Sequence, residues 1–191
     1  AVPVKSIREL VALARAKPGE LNYSSGISGS ATHLPAELFK FMTGVNIVRV
    51  AYKGGGPALN ALLGGEVQVM FATSSGAAPQ VAAGRLRALA VTSARPSALF
   101  PDLPTVAASG LPGYDAASIM GVFAPAKTPA ALIGILNREI VRLLNKPDLR
   151  ERYSRAGAEV VASTPEQLAA TMKSDMIMME KVIKAAGIRA Q

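Results

Sequence analysis

The sequence contains no cysteine, no tryptophan and only one histidine in 191 residues. Without cysteine the chain can form neither disulfides nor thiolate metal sites, so its stability has to come from an apolar core. Hydrophobic residues make up 50% of the chain and aromatic residues only 5%, and this hydrophobic content is ample for a packed core. Absence of cysteine suits a reducing cytosol and a periplasm equally, so the composition leaves the compartment open.

Acidic residues are also scarce, with 13 Asp and Glu against 21 Lys and Arg, a formal net charge of +8. This excess favours an anionic partner. The basic residues are scattered along the chain, which argues against nucleic acid. No apolar run approaches the ~20 residues of a membrane span. The N-terminal stretch AVPVKSIREL lacks the charged-then-apolar layout of a signal peptide, so any leader of an exported parent protein is expected to be missing from this chain.

Strand-like and helix-like segments alternate through the first part of the chain. Apolar periodicity and Gly or Pro punctuation predict helices over 7–16, 34–43, 57–63 and 75–83, with strands over 21–24, 45–52, 67–71 and 86–92. A β-loop-α repeat of this kind is typical of a mainly parallel sheet with helices on both faces. The fold class is therefore predicted to be α/β.

Residues 94–113 carry four prolines and predict an ordered loop, and 114–124 predict a long strand or crossing segment. Beyond them the chain is predicted to be helical over 128–145, 147–156 and 164–187, with a brief strand at 160–161. The change of character places a domain boundary near 122, which separates an α/β domain, 1–122, from a helical part, 123–191.

The segment NYSSGISGSATHLPAEL, residues 22–38, joins a strand to a helix through a Gly/Ser loop. Catalysis by a serine is disfavoured, because the G-x-S-x-G elbow is not matched and His33 lies on the same local turn as the candidate serines. A Walker A phosphate loop is disfavoured too, because Gly29-Ser30-Ala31-Thr32 lacks the Gly-Lys-Ser/Thr ending, and the G-x-G-x-x-G fingerprint is absent.

Two interpretations of this loop remain. Unpaired backbone N–H groups and hydroxyls ahead of a helix can cradle a carboxylate or phosphate. The same pattern also fits an ordinary capped helix whose small residues allow tight packing.

Two further strand ends resemble the first. Tyr52-Lys53-Gly54-Gly55-Gly56-Pro57 is a second Gly-rich turn into a helix, and FATSS, residues 71–75, is a third polar strand end. In an open α/β sheet these ends share one edge, where ligands bind. No general base is in view, so binding is favoured over catalysis. Lys53 either adds positive charge to this site or stays solvated. A lone histidine is more often structural than a ligand, and three methionines at helical spacing predict one packed face: Met172, Met176 and Met179.

Taken together, several segments closely resemble the substrate-binding proteins of tripartite tricarboxylate transporters, also called Bug receptors. The resemblance covers essentially the whole chain and is carried by the Ser/Gly-THL loop, YKGGGPAL, LRALAVTS, Leu103-Pro104-Thr105-Val106 and the closing KVIKAAGIRA. It implies a periplasmic receptor of type II binding-protein architecture, in which two α/β domains close on a small carboxylate and deliver it to a membrane permease. The protein is then not an enzyme, and it needs no cofactor, metal or nucleic acid.

Carried onto this chain, the resemblance implies one half of a carboxylate site, formed by loops at the three strand ends. Its predicted members are Ser24, Ser25, Gly26, Ser28, Gly29, Ser30, Ala31, Thr32, His33, Tyr52, Lys53, Gly54, Gly55, Ala72 and Thr73.

The chain departs from the family in two ways. Family members have a further segment before the position equivalent to Ala1, so residues 1–122 are expected to be a nearly complete second domain. Residues 123–191 are then the C-terminal helices of an incomplete first domain, and we expect them to expose an apolar face that promotes self-association. At Ala72 many members have Asp, which puts amino-acid ligands in doubt.

Two alternatives to a carboxylate receptor stay open at this point. The effector-binding domain of a transcription regulator has the same architecture, but it would need an attached helix-turn-helix. A small serine hydrolase on this scaffold would be revealed by organophosphonate labelling of Ser24, Ser28 or Ser30.

Overall fold

The structure is a computed structural model that describes residues 2–188. It contains three strands, β1 (Asn22–Ser25), β2 (Val48–Ala51) and β3 (Val69–Met70). Its seven helices across the same residues are α1 (Ile7–Ala16), α2 (Leu34–Thr43), α3 (Gly55–Leu63), α4 (Ser74–Ala82), α5 (Ala130–Leu144), α6 (Pro147–Arg155) and α7 (Pro165–Ala185).

The chain forms two compact units. The first comprises the described residues up to Ser118 together with those from Met179 onward, and the second is Ile119–Met178. The chain therefore returns to the first unit within α7, so that Val182 is fully buried in the first unit's core.

The first unit is built on a parallel sheet in the order β2-β1-β3. In the ladder Tyr23 lies opposite Arg49, and Ser24 lies between Val50 and Met70. Because parallel crossovers are right-handed, the step from β1 to β2 and the return from β2 to β3 place α2 and α3 on opposite faces. All three strands then end at one edge of the sheet. The predicted α/β class is confirmed.

Local sequence signals fix the helix ends. Ser6 caps α1, with its hydroxyl accepting from the Glu9 N–H at 3.2 Å. Ser6 and Glu9 have the spacing of a capping box, but it is only half formed, because the Glu9 carboxylate accepts from the Lys5 N–H instead of the Ser6 N–H. Gly44 ends α2 in the left-handed region with φ of 68°, and its N–H donates to the Lys40 carbonyl at 2.8 Å.

Two strand predictions are wrong, those over 86–92 and 160–161. Residues 86–92 form only an isolated parallel bridge between Val91 and Thr105, because Val91 bonds to the carbonyl of Pro104, which has no N–H to extend the ladder. Of the two alternatives predicted for residues 114–124, the crossing segment is correct, because they contain no regular strand and the chain passes from the first unit to the second within them. Residues 160–161 are also irregular.

The core of the first unit lies between the sheet and its flanking helices. The Phe39 and Phe71 rings pack with centroids 5.4 Å apart, and Tyr23, Leu10 and Ile47 are buried around them. The buried Tyr114 hydroxyl donates to the Pro35 carbonyl at 2.8 Å. This hydrogen bond fastens the segment after the proline-rich loop to the first turn of α2.

The second unit exposes many apolar side chains, as expected for the C-terminal helices. On α5 Ile135 is 48% exposed, and on α7 Met176 is 69% exposed. The predicted packed methionine face is therefore wrong for Met172 and Met176, whereas Met179 packs against the core of the first unit.

Candidate functional site

The end of β1 provides two buried serines. Tyr23 and Ser25 point to one face of the sheet and Ser24 to the other, because side chains alternate along a strand. Ser24 and Ser25 are both completely buried. The Ser24 hydroxyl has no hydrogen-bond partner among residues 2–188, whereas the Ser25 hydroxyl donates to the Gly26 carbonyl at 3.1 Å.

Many donors of the Gly26–His33 loop are used within the loop. The Gly26 N–H donates to the Thr32 hydroxyl at 2.8 Å, and the Gly29 N–H donates to Nδ1 of His33 at 3.0 Å. The backbone N–H of Ser30 is also engaged, by the carbonyl of Ile27. Within the described chain, four loop amides have no such partner: those of Ile27, Ser28, Ala31 and Thr32. The donors available to a ligand are therefore fewer than the sequence predicts.

Arg49, in the middle of β2, reaches across to this loop. Its Nε donates to the Ser25 hydroxyl at 2.7 Å, one terminal nitrogen donates to the Ser28 hydroxyl at 3.1 Å, and the other donates to the Gly26 carbonyl at 2.8 Å. All three acceptors are neutral. No ion pair of the described residues involves Arg49, so its charge is not neutralised by a carboxylate.

A cleft of about 470 Å³ opens where the loops after β1 and β2 meet. The two loops approach closely at Gly26, where a Cβ atom would lie 3.4 Å from the carbonyl carbon of Gly54. Arg49 and Lys53 give the cleft two positive charges, and an apolar portion lies beside them. The lining residues are Ile27, Ser28, Arg49, Ala51, Tyr52, Lys53 and Pro57.

A second, more polar cavity of about 380 Å³ adjoins Arg49 and Ser28 on their other side. His33 is 2% exposed there, and burial lowers the pKa of its imidazole, with the positive charge of Arg49 lowering the pKa further. Because Nδ1 of His33 accepts a hydrogen bond, its neutral form carries the proton on Nε2. Buried Glu37 accepts from the Tyr23 hydroxyl and from Lys40 at 2.9 Å, and burial raises the pKa of the Tyr23 hydroxyl.

The structure brings only part of the predicted set to the cleft. Ser28, Tyr52 and Lys53 line it, whereas Gly26 and Gly54 approach each other closely but are not among its lining residues. Ser24 and Ser25 are buried beneath the loop, His33 faces the second cavity, and Gly29 and Ala31 are exposed at the loop surface. Gly55 begins α3, while Ala72 and Thr73 follow β3 at the same sheet edge without lining the cleft.

Sequence reasoning missed Arg49, Ile27, Ala51 and Pro57 as lining residues. Two signals could have pointed to them: Arg49 is a charge inside the apolar strand sequence VRVA, and Ile27 is the one large apolar residue of the Gly/Ser loop. Within the described part of the chain, no cluster of three or more His, Asp or Glu side chains is arranged to hold a metal. None of its helices is long and apolar enough to cross a membrane.

A family model described as "Tripartite tricarboxylate transporter family receptor" matches residues 1–188. The chain belongs to this receptor family. Among curated relatives, BugT of Bordetella pertussis is 34% identical over 184 residues, which are 96% of this chain and 56% of BugT. The aligned part of this chain covers 54% to 56% of the length of three such curated relatives, so the chain spans about half of their length.

Solved structures of longer proteins share the fold. The R. palustris protein Rpa4515, solved with adipate, is 38% identical to this chain and superposes on it with a TM-score of 0.83. The match covers 98% of this chain and 63% of the Rpa4515 chain. The periplasmic binding protein BugD is 31% identical with a TM-score of 0.77, over 100% and 64%. MatC of Rhodopseudomonas palustris, with bound malate, is 28% identical with a TM-score of 0.74, over 95% and 63%. The predicted type II binding-protein fold and the predicted family are confirmed.

Proposed function

We propose that this receptor-family chain captures a small organic carboxylate and binds it without chemical change. The observation that carries the proposal is the cleft between the loops after β1 and β2, which is walled by Arg49 and Lys53. Neither cation takes part in an ion pair among residues 2–188. A bound carboxylate would compensate this charge and use the free amides of Ile27 and Ser28.

The cleft favours an aliphatic carboxylate over a nucleotide or inorganic ion. Its volume of about 470 Å³ lies in the range of small-molecule sites. Ile27, Ala51 and Pro57 offer an apolar surface next to the two cations, which suits methylene groups that carry a terminal carboxylate. Adipate in Rpa4515 and malate in MatC support the same ligand class.

Catalysis is not part of the proposal. A serine nucleophile needs a base within hydrogen-bond reach, and Nδ1 of His33 is occupied by the Gly29 N–H. The Arg49 guanidinium donates to the Ser25 and Ser28 hydroxyls and carries no basic lone pair that could take a proton from them.

The family to which the chain belongs suggests the cellular role that we propose for it. The parent receptor would act in the periplasm and deliver its ligand to the permease of a tripartite tricarboxylate transporter. Residues 1–122 would supply the ligand-binding domain and residues 123–191 the helical part of the other domain, with the end of α7 from Met179 onward returning to the first unit. Self-association through the exposed apolar side chains of α5 and α7 is a further part of the prediction.

The test is ligand-dependent thermal unfolding of this chain. Adipate and malate are titrated, with adipamide as an uncharged control of similar shape. A ligand that binds only the native state at a hundred times its Kd stabilises it by about 2.7 kcal/mol, enough to shift the unfolding midpoint measurably. We expect a shift with a dicarboxylate, none with adipamide, and a smaller shift in Lys53→Met.

The matched control is Lys17→Met, which removes an exposed lysine distant from the cleft and already paired with Glu20. It should respond to the dicarboxylates as the unmodified chain does. An equal shift with adipamide would contradict the proposed function, and so would no shift with any carboxylate either in this chain or in a longer version that supplies the other half of the predicted site.

A further inference from the structure

Arg49 of β2 binds three positions in the segment that includes the end of β1 and the loop after it. Its guanidinium binds the last strand residue, Ser25, the carbonyl of Gly26 at the start of the loop, and Ser28 further along it. The remaining hydrogen bonds of the loop run within it or to the start of α2, as from Gly26 to Thr32. Among the described residues, Arg49 is thus the side chain that ties Ser28 to the sheet.

The guanidinium geometry explains why a charged residue occupies this strand position. A planar fork can donate in three directions at once, which a lysine ammonium on a flexible stem cannot do with the same geometry. Three of the five N–H groups of Arg49 are used in this way, and two remain free of partners within residues 2–188. Arg49 is partly buried and is held here only by neutral acceptors, so its hydrogen bonds hold the loop without a carboxylate partner among residues 2–188.

We infer that Arg49 is a positioning residue that holds the Gly26–His33 loop in the conformation that lines the cleft. It stands between the two cavities and lines both, together with Ser28. Without Arg49 the Ser28 hydroxyl loses its hydrogen bond to β2, and the backbone N–H groups of Ile27 and Ser28 are no longer held in one orientation. The consequence for recognition rests on the proposed function, whereas the consequence for the loop does not.

The test measures hydrogen exchange of the Gly26 and Gly29 amides in the ligand-free chain, resolved by NMR. Both amides donate within the loop, so their protection reports its closed conformation. In Arg49→Met we expect these amides to exchange at least about tenfold faster, while amides of α1 keep their rates, since a tenfold change corresponds to ~1.4 kcal/mol of local opening. In Arg49→Lys we expect part of the protection to return.

The control is Arg87→Met, because Arg87 is another arginine of the same unit and its side chain likewise donates to a backbone carbonyl, that of Val4 at 3.2 Å. It should leave the loop amides unchanged. Unchanged loop protection in Arg49→Met, or an equal acceleration of loop and α1 amides, would overturn the inference. If Arg49→Met does not fold, the same comparison between Arg49→Lys and the unmodified chain decides it.

A dicarboxylate titration separates this inference from the proposed function. If the unmodified chain binds no carboxylate but the loop amides of Arg49→Met lose protection, the proposed function fails and the positioning role stands. If the unmodified chain binds adipate and Arg49→Met binds it with the same affinity, the positioning role in recognition is overturned while the proposed function stands. Weaker binding in Arg49→Met supports the proposed function, because the variant removes a positive charge from the cleft, and it supports the positioning role as well where the loop amides of the same variant lose protection.

Discussion

The two adjacent serines at the end of β1 should respond in opposite ways to the same substitution. Both are completely buried, but the Ser24 hydroxyl has no partner among the described residues, whereas the Ser25 hydroxyl bonds to Gly26 and Arg49. An unsatisfied buried hydroxyl costs about 1–3 kcal/mol. Ser24→Ala removes this cost and leaves only a small void, so we expect the free energy of unfolding to rise by about 1 kcal/mol.

Ser25→Ala should have the reverse effect. It removes an acceptor from the Arg49 guanidinium at 2.7 Å and a donor to the Gly26 carbonyl at 3.1 Å. Hydrogen bonds to charged groups contribute about 1.5–3 kcal/mol, and Arg49 is only partly buried, so we expect a loss of about 2 kcal/mol. Each alanine variant is the matched control of the other, because residue type, burial and strand are the same.

Urea unfolding followed by far-ultraviolet circular dichroism measures both changes, since the chain has no tryptophan to report on unfolding. The denaturant slopes should agree between variants, so that the midpoints report stability. A Ser24→Ala protein destabilised as much as Ser25→Ala would refute the reasoning, because it would mean that the Ser24 hydroxyl contributes a favourable interaction. If Ser24 also contacts ligand, as the sequence predicts, the more stable variant should bind adipate more weakly.

Two further predictions concern the buried groups beside the site. Tyr114→Phe leaves the buried Pro35 carbonyl without its 2.8 Å donor, so we expect the free energy of unfolding measured in urea to fall by about 1 kcal/mol. The control Tyr153→Phe, at an exposed position, should leave the free energy of unfolding unchanged. Equal effects of the two substitutions would contradict this prediction. Burial and the charge of Arg49 hold the pKa of His33 below its usual 6.5. The unfolded chain therefore binds a proton at higher pH than the folded chain, so unfolding free energy should fall as pH drops from about 7 to about 5, less steeply in His33→Asn. An identical pH slope in both proteins would show that His33 is not the group responsible.

The helix boundaries were predictable because local interactions decide them. Ser6 caps α1 and Gly44 ends α2 through side-chain and backbone preferences that act within one turn. The alternation of strands and helices likewise predicted a parallel sheet whose strand ends share one edge. The strand predicted over 86–92 does not form, because an extended segment becomes a strand only if another segment of the chain pairs with it. The segment that lies beside Val91 contains Pro104, which has no N–H to continue the pairing.

Sequence alone determined the α/β class, the family and the Gly/Ser loop as the place to look, because each rests on residue patterns that are contiguous in the chain. The tertiary structure alone decided which loop donors remain free and how the site acquires its charge. Arg49 lies 21 residues after Ser28 in the chain and reaches it only because β2 pairs with β1 in this register. Ser24 and Ser25 are indistinguishable in sequence, yet strand alternation sends one hydroxyl to a guanidinium and leaves the other without a partner.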